Sequence, residues 1–389
     1  MDLNRDLPPQ LVFIMLANDG GAGHAGSYTE AVQKATADLH WPCVALRPEN
    51  LLFPQACSPS ERTIRVWGAS PASSGWLTKL KDICVLVKSL SARLREARTA
   101  RDGGQVIVVV DGFTFLKLAC VMVASLRFRD TVHVWPIYRY DSFANPAEGR
   151  AYRGLHWVLF HLWPRGHFRL LTDSDPLQEF LKEQYGLPVH TLPVPHTFEY
   201  LTPQTGKPSG EDLTCWWPGL PHPAKGLEIM RRLAQATGAD SGKFRIAAAR
   251  ESGLREVPGG PKIELIDSGI SQECYARRML ASDIILLPYD PASYRRRTSG
   301  IFVEAVTAGR MPLIRKGGWM SHELKQFNLA ELEFDWESPG VFTRMLQLSG
   351  DGQVRQKLER MRAHYCSFHS IPGYARALQR IWNTAILST

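Results

Sequence analysis

Short apolar, β-rich runs alternate with stretches of helical periodicity along this chain, stop at Pro193, and then resume. "LVFIMLA" (11–17), "TIRVWGA" (63–69), "QVIVVVDG" (105–112) and "TVHVWPI" (131–137) read as buried strands closed by Gly, Asp or Pro. Between them, "SYTEAVQKATADL" (27–39), "LTKLKDICVLVKSLSARLREAR" (77–98) and "FLKLACVMVASL" (115–126) have the 3–4 residue period of helices. "FRLLTDSD" (168–175) followed by "PLQEFLKEQYG" (176–186) is one more unit of this kind. Strand–helix alternation favours a parallel sheet with helices on both faces, because each parallel connection must cross over the sheet.

A Pro-, Thr- and Gly-rich stretch without periodicity then interrupts the pattern and reads as a linker. The alternation restarts with "DLTCWWPG" (212–219), the helix "GLEIMRRLAQATG" (226–238), "KFRIAAA" (243–249) and "KIELIDSG" (262–269). It continues through the helix "SQECYARRMLAS" (271–282), "DIILLPY" (283–289), the helix "IFVEAVTAG" (301–309) and "MPLIRKG" (311–317). The expected architecture is α/β, with two doubly wound, Rossmann-like domains facing a cleft. The boundaries expected are 1–198 for the first domain, 199–212 for the linker and 213–369 for the second domain. A final helix is expected over 370–389, beginning after a Pro-Gly break. Ligands of such sheets bind outside the carboxyl ends of the strands.

Composition narrows the class. The 389 residues suggest two or three cores, and 44% hydrophobic with 22% charged residues excludes a mostly disordered chain. Lys and Arg (46) exceed Asp and Glu (38), a balance that favours anionic partners. Seven scattered Cys without a C-x-x-C argue against a disulfide framework or structural zinc and fit a reducing, cytoplasmic setting. "MDLNRDLPPQ" is too polar for a secretory signal, and the greasiest stretch, from Phe113, is too short to span a bilayer. Two basic stretches, 77–101 and 150–169, are candidates for a peripheral membrane surface at the inner face of the membrane. The plainer reading of each is a core helix with a solvated basic rim. No nucleic-acid motif is present.

Three places carry candidate chemistry. In the first loop, Gly21, Gly23 and His24 lie in a glycine-rich strand-to-helix turn that lets backbone approach a ligand and reads as a substrate-facing loop. The order is not G-x-G-x-x-G, and a tight turn without a ligand also accounts for it. In the second half, "WWPGLPHPAKGLEIM" places Gly219 and Lys225 in a loop at the mouth of a helix, where a lysine reaches phosphate. Further on, "YRRRTSGIFVEAV" places Arg295, Arg296 and Arg297 before a helix start. Thr298 or Ser299 can cap that helix, leaving amides of Gly300 and Ile301 for a diphosphate. Glu304 follows on the same helix and, if buried, needs a partner.

This second half resembles the donor-binding domain of GT-B glycosyltransferases, especially the retaining family 4. Gly219, Lys225 and Gly226 match that family's "G-R-x-x-x-x-K-G" loop, while Glu304-Ala305, Ala308-Gly309 and Pro312 match its "E-A-x-A-x-G-x-P" helix. The likeness covers most of 100–330 and is specific mainly over 213–317. It implies sugar transfer, with retention, from a nucleotide-diphosphate sugar bound by 213–369 to a glycan, lipid-linked or other hydroxyl acceptor held by 1–198, and a 370–389 helix that crosses back to the first domain. It also implies that Lys225 contacts the leaving diphosphate and Glu304 the ribose hydroxyls. Leu220 replaces the family's loop arginine, Arg296 stands at its first glutamate, and Tyr138 and Arg139 occupy the neighbourhood of its usual histidine.

The expected catalytic set is therefore Lys225, Arg296 and Asp141, the last as a carboxylate that orients the acceptor hydroxyl. The donor set is Gly219, Lys225, Arg295, Arg297, Thr298, Ser299, Gly300 and Glu304. No cofactor beyond the donor substrate and no metal is expected, because cations and amides supply the charge. "TDSD" (172–175) resembles a metal-binding D-x-D but also reads as a helix cap before Pro176. A sugar-nucleotide epimerase and a catalytically silent GT-B homologue remain alternatives.

Overall fold

The computed structural model describes residues 8–16, 25–48, 61–66, 76–100, 104–143, 145–195 and 212–387. The chain divides into two compact units, Met1–His196 with Ile371–Thr389, and Thr197–Ser370.

The first unit is built on β1 (Gln10–Met15), β2 (Cys43–Pro48), β3 (Glu61–Ile64), β4 (Val106–Asp111), β5 (Val132–Tyr138), β6 (Leu170–Thr172) and β7 (Val189–Thr191). They form one parallel sheet in the order β3-β2-β1-β4-β5-β6-β7. Every residue of β1, β4 and β5 is buried. That is the burial expected of strands covered on both faces, and it explains why they read as unbroken apolar runs. Val12, Ile14, Val106, Val108 and Val110 face a core shared with α2 (Trp76–Thr99), α3 (Phe115–Leu126), α4 (Pro146–Leu162) and α5 (Asp175–Tyr185). Leu11, Phe13, Ile107 and Val109 face the opposite core, built with α1 (Ala25–Asp38) and α12 (Ile371–Ile386).

α12 belongs to this first unit although it follows the second in sequence. Its stripe Tyr374, Leu378, Ile381, Trp382 and Ala385 is buried, the spacing of one helical face. The Trp382 ring meets Trp41 edge-on at 6.2 Å, and the Tyr374 and Tyr28 hydroxyls lie 3.1 Å apart. Each such fully buried side chain contributes about 1.5–3 kcal/mol.

The second unit carries β8 (Leu213–Trp217), β9 (Phe244–Ala249), β10 (Lys262–Ile266), β11 (Ile284–Leu287), β12 (Met311–Arg315) and β13 (Glu333–Phe334). These strands are parallel in the order β10-β9-β8-β11-β12-β13. Around them lie α6 (Leu227–Gln235), α7 (Gln272–Ala281), α8 (Gly300–Thr307), α9 (Trp319–Gln326), α10 (Val341–Gly350) and α11 (Gly352–Phe368).

Elements that the sequence reading passed over are β2, β7, α4 as a complete helix, and everything from α9 to α11. β2 is "CVALRP", a half-buried run containing arginine, and β7 has only three residues. The strand expected at 63–69 is β3, which ends at Ile64; residues 67–69 lie outside the described set. Among the described residues, no helix is long and apolar enough to cross a membrane.

Candidate functional site

In the second sheet β8 and β11 are neighbours, and chain connections leave them toward opposite edges. Their carboxyl ends form the switch point where doubly wound sheets leave room for ligands. The loop after β8 is held by three contacts, one back to the end of β8 and two to the residues that follow β11. The Trp217 Nε1–H donates to the Lys225 carbonyl at 3.2 Å, and the Asp290 amide donates to the Ala224 carbonyl at 2.9 Å. Gly226 adopts φ +84°, and a Cβ there would collide with the Pro288 carbonyl. Only glycine lets the two backbones meet in this way.

This anchoring aims Lys225. A Cβ on Gly219, whose φ is +87°, would stand 2.9 Å from Lys225 Nζ and 3.6 Å from Ile301 Cδ1. Gly219, the Lys225 ammonium and the first turn of α8 are therefore within a few ångströms of one another. The Ser299 Oγ caps α8 by accepting the Phe302 amide at 3.3 Å, so of the two cap candidates it is Ser299 that does the work, with Thr298 half-buried beside it. The amides of Gly300 and Ile301 make no hydrogen bond among the described residues. Burial, and then the Arg297 charge, lower the Lys225 pKa below the ordinary lysine value. No acid among the described residues pairs with Lys225. Two cations near the amino end of a helix, with no counter-ion among the described residues, favour an anion there.

The arginine run divides. Arg295 and Arg297 are exposed, with the Arg297 guanidinium 5.5 Å over the Tyr294 ring, whereas Arg296 is half-buried. Glu304 is 1% exposed, and its Oε2 accepts the Tyr275 hydroxyl of α7 at 2.8 Å. That is the partner a buried carboxylate requires. Burial, followed by the Glu304 charge, pushes the Tyr275 hydroxyl well above its usual range, so it stays a donor. Tyr275 is a site residue that the sequence reading missed. No motif marks it, since it lies on another helix 29 residues away.

In the first unit the carboxyl ends of β4, β5 and β6 carry an ion-pair cluster. Arg139 donates to both carboxylate oxygens of Asp111 (Nε at 3.0 Å, Nη2 at 2.7 Å) and through Nη1 to Asp173 at 2.7 Å. Its guanidinium stacks 4.5 Å from the Tyr28 ring, and Lys117 Nζ donates to the Leu16 carbonyl at 2.6 Å. Burial would lower the Arg139 pKa, but Asp111, Tyr28 and Asp173 outweigh it, so the fork stays charged. Asp141 lies next to this cluster in sequence, and its Oδ1 accepts the Phe143 amide at 2.8 Å in the turn that leads into α4. The "TDSD" carboxylates go to separate partners. Asp173 pairs with Arg139, Ser174 caps α5, and Asp175 accepts the Thr191 hydroxyl. Among the described residues no group of three or more His, Cys, Asp or Glu is arranged to hold a metal ion. Gly21, Gly23 and His24 lie outside the described residues.

No family model matches this sequence, and no curated protein matches it. Solved structures do. A glycosyltransferase from Rickettsia africae superposes with a TM-score of 0.63 at 10% identity, over 98% of this chain and 100% of the other. An alpha-glucosyltransferase in complex with UDP and a 13-mer DNA gives a TM-score of 0.58 at 12% identity, over 97% of this chain and 99% of the other. The fold is GT-B. The N-terminal domain of Candida albicans trehalose-6-phosphate phosphatase is similar too, with a TM-score of 0.64 at 11% identity over 97% of each chain. At such identities the likeness establishes the GT-B fold, while function rests on the residues at the β8–β11 switch point.

Proposed function

We propose that this GT-B chain transfers a sugar from a nucleotide-diphosphate donor bound at the β8–β11 switch point of the second unit. The supporting observation is the placement of Lys225, a largely buried cation with no acidic partner among the described residues, against Gly219 and the first turn of α8. Cleaving the anomeric C–O bond leaves negative charge on the diphosphate. A site for that step needs cations and amides fixed in advance, and Lys225, Arg297, Gly300 and Ile301 supply them. The solved neighbour that holds UDP supports a nucleotide donor. Thr298, Arg295 and Arg296 flank the diphosphate in this reading, and Glu304 takes the ribose hydroxyls, exchanging its Tyr275 hydrogen bond for theirs. Retention and metal independence belong to the same proposal, as does a cytoplasmic setting. So does a hydroxyl acceptor of glycan or lipid-linked type assigned to the first unit, with Asp141, Gly21, Gly23 and His24 on its side.

A second reading, binding without turnover, draws support from the buried Glu304–Tyr275 pair and from an arginine where the family resemblance puts an acid. Incubation with a panel of nucleotide sugars separates the cases. Release of nucleoside diphosphate by the wild type, lost in Lys225→Ala, is the expected result. An isomerised nucleotide sugar indicates an epimerase, and saturable binding with no release indicates the silent module.

A further inference from the structure

We propose that the outer faces of α3 and α4 form a docking surface for an anionic phospholipid bilayer. On α3, Leu116, Val123 and Leu126 point outward with exposures of 38%, 59% and 42%. On α4, Trp157, Phe160 and Leu162 are exposed to 62%, 47% and 43%. Single exposed apolar residues are ordinary, but six on two adjoining helices are not. The two helices pack side by side, and Arg129 Nη1 donates to the Leu162 carbonyl at 3.5 Å, joining the chain just beyond α3 to the end of α4. The core does not use these residues, because Leu118, Val121 and Ala124 of α3 and Tyr152 and Leu159 of α4 fill it from the opposite faces.

Charge decides what covers this surface. Residues 76–165, which hold α2, α3 and α4, contain 14 Lys and Arg against 7 Asp and Glu. Seven of the eight net positive charges of the chain therefore lie there. Arg127, Arg150, Arg153 and Arg165 are exposed on or beside α3 and α4. An apolar centre with a cationic rim matches a bilayer interface, where the acyl boundary receives Trp, Phe and Leu while lipid phosphates receive arginine. A second copy of the chain fits worse, since an isologous contact would press two rims of like charge together.

The inference is independent of the donor reading and is tested without any sugar. The full chain is floated with vesicles of phosphatidylcholine alone and of phosphatidylcholine with phosphatidylglycerol, at low and high salt. Binding to the anionic vesicles only, weakening by about tenfold as salt rises, is the expected result. Arg150→Gln with Arg153→Gln should reduce the partition coefficient by about fivefold per arginine. Trp157→Ser with Phe160→Ser should abolish flotation without changing the thermal midpoint. Equal binding to both vesicle types, or none, overturns the proposal. So does a wild-type dimer in sedimentation that the Trp157→Ser, Phe160→Ser variant dissociates. The wild-type lipid and salt dependence decides the matter even if a variant misfolds.

Discussion

At the scale of single residues, burial sets the chemistry. Burial and the Arg297 charge lower the Lys225 pKa, so it releases its proton at a lower pH than an exposed lysine does. A bound diphosphate favours the protonated form, so nucleotide affinity should fall as pH rises through that lowered value. Lys225→Ala should weaken nucleoside diphosphate binding by about 1.5–3 kcal/mol and remove this alkaline limb; titration calorimetry at several pH values reads both effects. His156 shows the opposite limit. It is buried 2.6 Å from the Tyr138 hydroxyl, and burial lowers its pKa from 6.5 to about 3. Between these values the unfolded chain binds a proton that the native state refuses, so stability is full above pH 6.5 and is lost as pH falls toward 3. The loss approaches about 1.4 kcal/mol per pH unit for this one histidine. Urea denaturation at pH 7 and pH 5 should show a shallower loss in His156→Gln, which no longer titrates, than in the wild type.

At the scale of elements, close backbone approach positions the candidate site. Gly226 joins the loop after β8 to the end of β11 at a positive φ, with Pro288 Cγ only 2.7 Å from where a Cβ would sit. The Pro288 carbonyl is closer still and cannot rotate away as a side-chain tip can. Gly226→Ala should therefore push the loop off β11 and carry Lys225 with it. We expect a loss of stability of about 2–4 kcal/mol together with weakened nucleotide binding. Gly253 also has a positive φ, but nothing lies within 4 Å of a Cβ there, so Gly253→Ala is the control. It should show only the smaller conformational cost of about 1–2 kcal/mol and unchanged nucleotide affinity.

At the scale of the whole molecule, α12 makes the first unit depend on the far end of the chain. The Tyr28–Tyr374 contact spans 346 residues, and Arg169 Nη2 donates to the Thr384 carbonyl at 2.8 Å. Without α12, the part of one sheet face that α1 does not cover meets water, although its strands are apolar on both sides. Trp382→Ala should cost about 3–5 kcal/mol and lower the thermal midpoint of the first unit. Deleting residues 371–389 should leave that unit insoluble or molten, with a collapsed near-ultraviolet signal.

What the sequence determined by itself is the architecture: period-2 and period-3.6 patterns are local, and strands such as Val106–Asp111, buried on both faces, declare a parallel sheet without any knowledge of their neighbours. Loop chemistry was local in the same sense, so Lys225, Ser299 and Gly300 stood out from their places at helix mouths, while Gly219 came from the likeness to the GT-B loop motif. Elements held by their surroundings rather than by composition did not. β2 exists because β1 and β3 flank it, and α9 and α11 form from sequence too polar to display a long core stripe. By contrast, α10 carries one in Val341, Phe342, Met345 and Leu348 that the sequence reading passed over. Only the tertiary structure paired Glu304 with Tyr275, clasped Arg139 between Asp111 and Asp173, and turned Trp157 and Phe160 to the outside. Each of these depends on which residues remote in sequence meet, and loop closure over dozens of residues leaves no periodic trace along the chain.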